Sequence, residues 1–498
     1  MADFLGRRRW IPGALFALAA FLVTGATAAG SISLTQVSVD PFTNTTSQHA
    51  TEVEPDTFAH GATVVAAYQV GRFFDGGATD VGYARSGNGG GTWSTSSFVP
   101  GLTYDAGAFA DQSSPFQRVS DASVAYDAKH AVWLISSIPI LPSVVVPTID
   151  VSRSTDDGRT FPSTVNIPAP GGKKLDLDKN WTACDDTPSS PFYGHCYTEF
   201  DNFAEGDLEY MSTSSDGGLT WSAPVSPAGN PHGLGGQPVV QPNGTVIVPF
   251  ESLKGNIGAF ESSDGGLTWS HESEIAKIAF RLVGGNLRTS PLPSAEIDAA
   301  GTVYVAWEDC RFRAKCATND IVFSTSSNGF DWSAVERIPI DPVTSGVDHF
   351  IPGLAVDRVT SGSSAHLALT YYYYPDGACT TATCQLDVGY VSSPDGGAHW
   401  SSQTQLAGPM SLTDIAATSQ GPMVGDYIST SFSGGKAVTL FPIGLGHTGA
   451  TFNEAMYAPS APLAVATAAQ ATSAASAAGV QAPTAGGANE VVLHDRGD

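Results

Sequence analysis

Basic residues are scarce in this chain. Its 498 residues hold 23 Lys and Arg against 48 Asp and Glu, a net charge of −25 at pH 7. A surface of that sign repels nucleic acid and anionic membranes, so neither is an expected partner. Long apolar runs are missing too, apart from Ile11 to Val23 behind Arg7, Arg8 and Arg9. That run is too short to span a bilayer. With Ala26-Thr27-Ala28 after it, it reads as a secretory signal over 1–28, so the mature protein is expected to be secreted. Its removal takes away three arginines and one aspartate and moves the net charge from −25 to −27. Cysteine is sparse, six in all, and no pair has a companion His at finger spacing, which argues against zinc. The cysteines fall in neighbouring pairs: Cys184 with Cys196, Cys310 with Cys316, Cys379 with Cys384. In an exported chain these read as loop-closing disulfides, although sequence alone leaves other connectivities open.

What the chain has instead is repetition. Ser-x-Asp-x-Gly-x-Thr-Trp occurs as Ser214-Ser-Asp216-Gly-Gly218-Leu-Thr220-Trp221 and again from Ser262 through Asp264 to Trp269. Variants run from Ser154 through Asp156 to Phe161 and from Ser393 through Asp395 to Trp400. Looser copies are centred on Asn88 and Asn328. The closing aromatics lie 68, 60, 48, 63 and 68 residues apart, the period of a repeat architecture. Asx-Gly favours a tight turn, because Gly takes positive φ and the short side chain accepts backbone N–H groups. Each copy therefore staples a hairpin and carries no chemistry.

These copies resemble the Asp-box, the bacterial neuraminidase repeat of sialidases and many other β-propeller proteins, over roughly residues 50 to 400. The resemblance implies an all-β propeller of four-stranded antiparallel blades, with the boxes on turns between third and fourth strands. Six boxed repeats are followed by an unboxed sheet: Asp426 to Phe432, Lys436 to Pro442 and Glu454 to Ala458. A strand from Ser31 to Asp40 would complete it, so seven blades are expected rather than the six usual in sialidase catalytic domains. The propeller then covers 29–460. The remainder, 461–498, is rich in Ala, Ser and Thr, with little to bury, and reads as a loose tail.

The box turns lie on one propeller face, so chemistry is sought on the other, at the starts of first strands and the ends of second strands. Those positions carry Glu52, Asp56, Arg72, Arg118, Asp121, Asp178, Lys179, Glu199, Asp201, Glu251 and Arg288. They continue with Glu308, Asp309, Arg311, Arg313, His349, Tyr371 to Tyr374, Asp426 and Tyr427. A sialidase needs three arginines on the substrate carboxylate, a Tyr–Glu nucleophile pair and an acid for the leaving oxygen. By blade position, Arg118, Arg288 and Arg311 form the patch, with Arg313 and Glu251 as further substrate contacts. Tyr427 becomes the nucleophile, Glu308 or Glu251 its activator, and Asp309 or Asp121 the acid. The family's Phe/Tyr-Arg-Ile-Pro segment is missing before the first box; its nearest echo is Phe116-Gln117-Arg118-Val119.

No cofactor is expected. Asp176, Asp178, Asp185 and Asp186 supply hard oxygens suited to a structural Ca²⁺, but without EF-hand spacing. The leading expectation is a secreted, monomeric, sialidase-like glycoside hydrolase acting on extracellular glycans or glycoconjugates. Its rivals are a propeller that only binds glycan or protein, and a lyase or other hydrolase built on arginines and acids.

Overall fold

The computed structural model describes residues 32–171 and 174–473. The secretory segment read at 1–28 lies outside the described residues, as does 474–498 of the tail. Among the described residues the protein is all-β, its helical segments being three-residue 3-10 turns. None is long and apolar enough to cross a membrane. Strands form where β-branched and aromatic residues dominate, as in Thr63–Arg72 and Val303–Asp309, because such side chains pack well on a pleated surface. Both strands are buried along their whole length, so each is covered on both faces.

Six antiparallel sheets of three or more strands follow in chain order among the described residues. The first spans 52–166 and takes in two sequence repeats, joined where Ala78 pairs with Val119. Four more occupy 177–214, 233–277, 294–337 and 348–411. The last, 429–464, recruits Leu34–Gln36, which pairs antiparallel with Glu454–Pro459. Opposite ends of the chain thus share one sheet.

Seven hydrophobic clusters join consecutive repeats. Val65 and Ala67 pack with Val124, Trp133 and Ile135; Val239 and Ile247 pack with Val303, Val305 and Trp307. Tyr68 and Val70 pack with Leu440 and Met456, so the first repeat meets the last. Trp307 is fully buried, and its truncation to Ala would cost about 3–5 kcal/mol. The first strands of the repeats, here called inner strands, contribute to the lining of one narrow pocket. Asp56, Val124, Thr182, Val239, Ala295, Leu354 and Thr430 all line it.

The repeated turns share one hydrogen-bond set. Asp216 Oδ1 accepts from Leu219 N at 3.0 Å and Thr220 N at 2.9 Å, and Oδ2 accepts from Thr220 Oγ1 at 2.6 Å. Ser214 Oγ donates to Asp216 Oδ1 and accepts from Gly218 N. Asp156, Asp264 and Asp395 bind their turns in the same way, and Asn88 and Asn328 make the backbone part of the set. Gly218 has φ +74°, and a Cβ there would come within 2.9 Å of Leu134 in the preceding repeat. The turn therefore locks its own hairpin and seats it against its neighbour.

Residues 461–473, read from sequence as loose, are partly paired. Leu463–Ala464 joins Lys436–Ala437, and Thr472–Ser473 joins His399–Trp400. Backbone pairing to a waiting edge holds them, which composition does not register.

Candidate active site

Four inner strands break register at corresponding places. Glu54 with Pro55, Asp121 with Ala122, Lys179 with Asn180, and Ile351 with Pro352 each set two residues against one on the neighbouring strand. Such bulges re-aim side chains and recur beside active sites. The first residue of each pair has positive φ: 55°, 48°, 50° and 50°. Left-handed backbone costs a non-glycine residue about 1–3 kcal/mol and persists only where its surroundings enforce it. Gly235 and Gly425 take positive φ at the approach to two further inner strands.

Three of these strained residues meet around Asp426. Its backbone N donates to Glu54 Oε1 at 3.1 Å. Lys179 Nζ pairs with the Asp426 carboxylate and lies 3.4 Å from Asp121 Oδ1. Arg288 pairs with that same carboxylate. Gln69 donates to Glu54 and, at 2.8 Å, to Ser120 Oγ, while accepting from Arg72 Nη1 at 2.8 Å. Three carboxylates thus face two cations, all five side chains buried. Burial pulls the Lys179 ammonium down, yet Asp121, Asp426 and Glu54 outweigh it and hold it well above its usual value.

Tyr427 stands at this centre. Its ring meets Trp181 edge-on with centroids 5.1 Å apart, and its hydroxyl donates to Ala122 O at 3.5 Å. Burial, then the charges of Glu54, Asp121, Asp56 and Asp426, push its phenol well above the usual value. Burial, then Asp426, push Glu251 up to about 8, so at pH 7 it is a neutral acid. Asp121, Lys179, Trp181, Gln237, Leu292 and Tyr427 line a cleft of about 20 Å³, room for about one water.

The other sequence candidates go elsewhere. Arg118 pairs with Asp75 at 2.6 Å and lies over the Phe73 ring. Arg311 is held by Asp309 at 2.7 Å, and Arg313 by Asp320 and Asp341. Of the expected patch, Arg288 pairs with Asp426, whereas Arg118, Arg311 and Arg313 each pair with another carboxylate. A guanidinium losing water takes the nearest carboxylate, and each has its own. Glu308 Oε2 accepts from Ile351 N at 3.1 Å and so fastens that bulge. Asp309 also accepts from Ala279 N and Trp307 Nε1, capping its loop. Disulfides join Cys184 to Cys196, Cys310 to Cys316 and Cys379 to Cys384.

Sequence reasoning missed Glu54 and Gln69. A residue before proline is steered to extended backbone, so Glu54-Pro55 argued against the bulge that aims Glu54 inward. The only available signal was three acids, Glu52, Glu54 and Asp56, entering one inner strand.

Of the aspartates considered for Ca²⁺, Asp178 lies in a strand and accepts from Lys179 N at 3.0 Å, and the other three serve loops. Asp176 accepts from Val146 N, Asp185 from Thr187 N, and Asp186 from Ala128 N. Among the described residues, Asp320, Asp341 and His349 place their ligand atoms within 4.8 Å of one another. Arg313 and Arg337 already supply two positive charges to those carboxylates, so the group does not fit a dication.

No protein-family model matches the chain, and no curated protein matches it. Among solved structures, an ulvan lyase (a polysaccharide lyase) is similar at TM-score 0.48 and 12% identity, over 85% of this chain and 95% of that one. A Dyadobacter fermentans protein of unknown function reaches 0.45 at 14% identity, over 72% and 99%. A Hadza microbial sialidase reaches 0.43 at 15%, over 82% and 66%. At these scores and identities the likeness fixes no activity for this chain.

Proposed function

We propose that the protein is a secreted, seven-bladed propeller of sialidase-like build that hydrolyses extracellular glycans at the cleft beside Tyr427. The closed succession of hydrophobic clusters, with the first repeat packed on the last, supports the ring. The observation that carries the activity is the charged centre itself. Glu54, Asp121 and Lys179 are held in strained backbone around Asp426, Arg288 and Tyr427, and strain of this kind clusters where function requires it.

Each group has a part in this reading. The phenol of Tyr427 attacks the anomeric carbon while a neighbouring carboxylate, Asp121 or Glu54, takes its proton. Glu251, neutral at pH 7, gives a proton to the leaving oxygen. Lys179 and Arg288 hold the carboxylates in place and meet charge that develops on the sugar. Of the arginines considered, Arg288 alone belongs to this centre.

One observation favours a second reading, a propeller that binds glycan or protein without catalysis. The cleft admits about one water, and its charges are already paired with one another. A panel of fluorogenic glycosides that includes a sialoside separates the two. The full chain should turn over at least one glycoside. Tyr427→Phe should lose about 10²-fold or more of kcat at unchanged Tm. A folded protein inert on the whole panel but positive on a glycan array would sink the hydrolase and leave the binder.

A further inference from the structure

A further cavity lies toward the far end of the inner strands from Tyr427, sharing Phe58, Glu296 and Arg358 with the pocket between those strands, and the proposal here does not depend on the one above. Its volume is about 540 Å³, within the range of small-ligand sites. Its wall is made by the ends of inner strands and the turns that follow them: Phe58 to Gly61 from the first repeat, Asp357 to Val359 from the sixth, and Phe432, Gly434 and Gly435 from the last. Asp186 and Glu296 complete it. The rim is bare at Gly61 and Gly434, where an added Cβ would meet nothing within 4 Å.

The chemistry of the wall is one-sided. Asp186, Glu296 and Asp357 bring three carboxyls, and Arg358 brings the single permanent cation. Burial, opposed by Asp157, holds His60 below its usual value. The Arg358 guanidinium lies over the Phe58 ring at 4.8 Å, a cation–π contact, and pairs with Glu296 at 3.3 Å. Arg358 thus shows how a cation is held here, by an aromatic face and a carboxylate. It is nearly half exposed, so this guanidinium is a loosely held occupant rather than a buried fixture. Asp186 accepts from Ala128 N at 2.8 Å; burial pushes its carboxyl up to about 7, opposed by that hydrogen bond and by the nearby Arg358.

We propose that this cavity is a binding site for a small organic molecule carrying a primary ammonium group, seated on Phe58 between Asp186 and Glu296, with Arg358 as its internal competitor. An amino sugar and an aliphatic polyamine present the same group. A neutral or acetylated sugar does not, and the carboxyl excess repels anions.

Isothermal titration of the full chain with a glucosamine disaccharide, its N-acetylated counterpart and spermidine tests the site. Heat from the first and none from the second is expected, and heat from spermidine as well would mark the ammonium rather than the sugar ring as the recognised part. Asp186→Asn with Glu296→Gln should abolish the signal. Arg358→Ala should tighten binding about two- to fivefold, the worth of a half-exposed ion pair. That substitution removes an exposed side chain, and an unchanged Tm verifies the fold. Silence from both amines in wild type and in Arg358→Ala, or equal binding of the acetylated sugar, overturns the proposal.

Discussion

Replacing Asp426 by Asn leaves its shape and removes its charge. In the native protein the Asp426 carboxylate meets both Lys179 and Arg288, and the three side chains are 4%, 2% and 1% exposed. Removing one partner of a buried pair costs about 3–5 kcal/mol, because the other charge stays dry without compensation. Lys179 keeps Asp121 at 3.4 Å, so the lower end, about 3 kcal/mol, is expected. Urea unfolding at pH 7 should show it as a fall in midpoint at unchanged slope. The mechanism is separable from mere disturbance by adding Arg288→Met, which removes the other cation on that carboxylate. If the loss comes from a stranded cation, the double variant should recover about 1–2 kcal/mol relative to additivity. A cost under about 1 kcal/mol for Asp426→Asn, or strict additivity in the double variant, would refute the reasoning.

Three further outcomes follow from particular contacts. Asp216→Ala removes the hydrogen bonds to Leu219, Thr220 and Ser214 and should lower stability by about 1–3 kcal/mol without touching turnover, as read by paired Tm and glycosidase assays. Burial pushes Glu52 and Glu251 up to about 8, and Asp56, Asp150 and Asp348 up to about 7. The native state therefore holds protons that the unfolded chain releases near pH 4. The stability these groups contribute is full below that pH and lost as pH rises toward 8, so Tm should be higher at pH 5 than at pH 8.5. Cys184 and Cys196 sit directly opposite each other on neighbouring strands, and changing both to Ser should cost about 2–3 kcal/mol in denaturant melts, for a loop spanning 12 residues.

How much of this was legible in the sequence depends on how far each contact reaches. The Asp216 turn was readable because donor, acceptor and obligatory glycine lie within eight residues, so local preference and final structure agree. The pairing of nearby cysteines was readable for the same reason. The inner-strand bulges were not. Glu52, Glu54 and Asp56 alternate in sequence and would share one face of a regular strand. In the structure Glu52 goes to Ser38, Glu54 to Gln69 and Asp426, and Asp56 to Val124 N and Ser429, because two residues stand where the pleat expects one. The partners of the arginines were not legible for a different reason. Arg118 finds Asp75 43 residues away, and Arg288 finds Asp426 138 residues away. Sequence distance does not rank such partners; only the folded chain decides which carboxylate is near enough to replace lost water. That argument also explains why Arg288 reaches the centre. Its own segment ties back through Arg288 N to Pro422 O at 2.9 Å, a few residues before Asp426. The same backbone pairing that joins the two segments thus sets the two charges side by side.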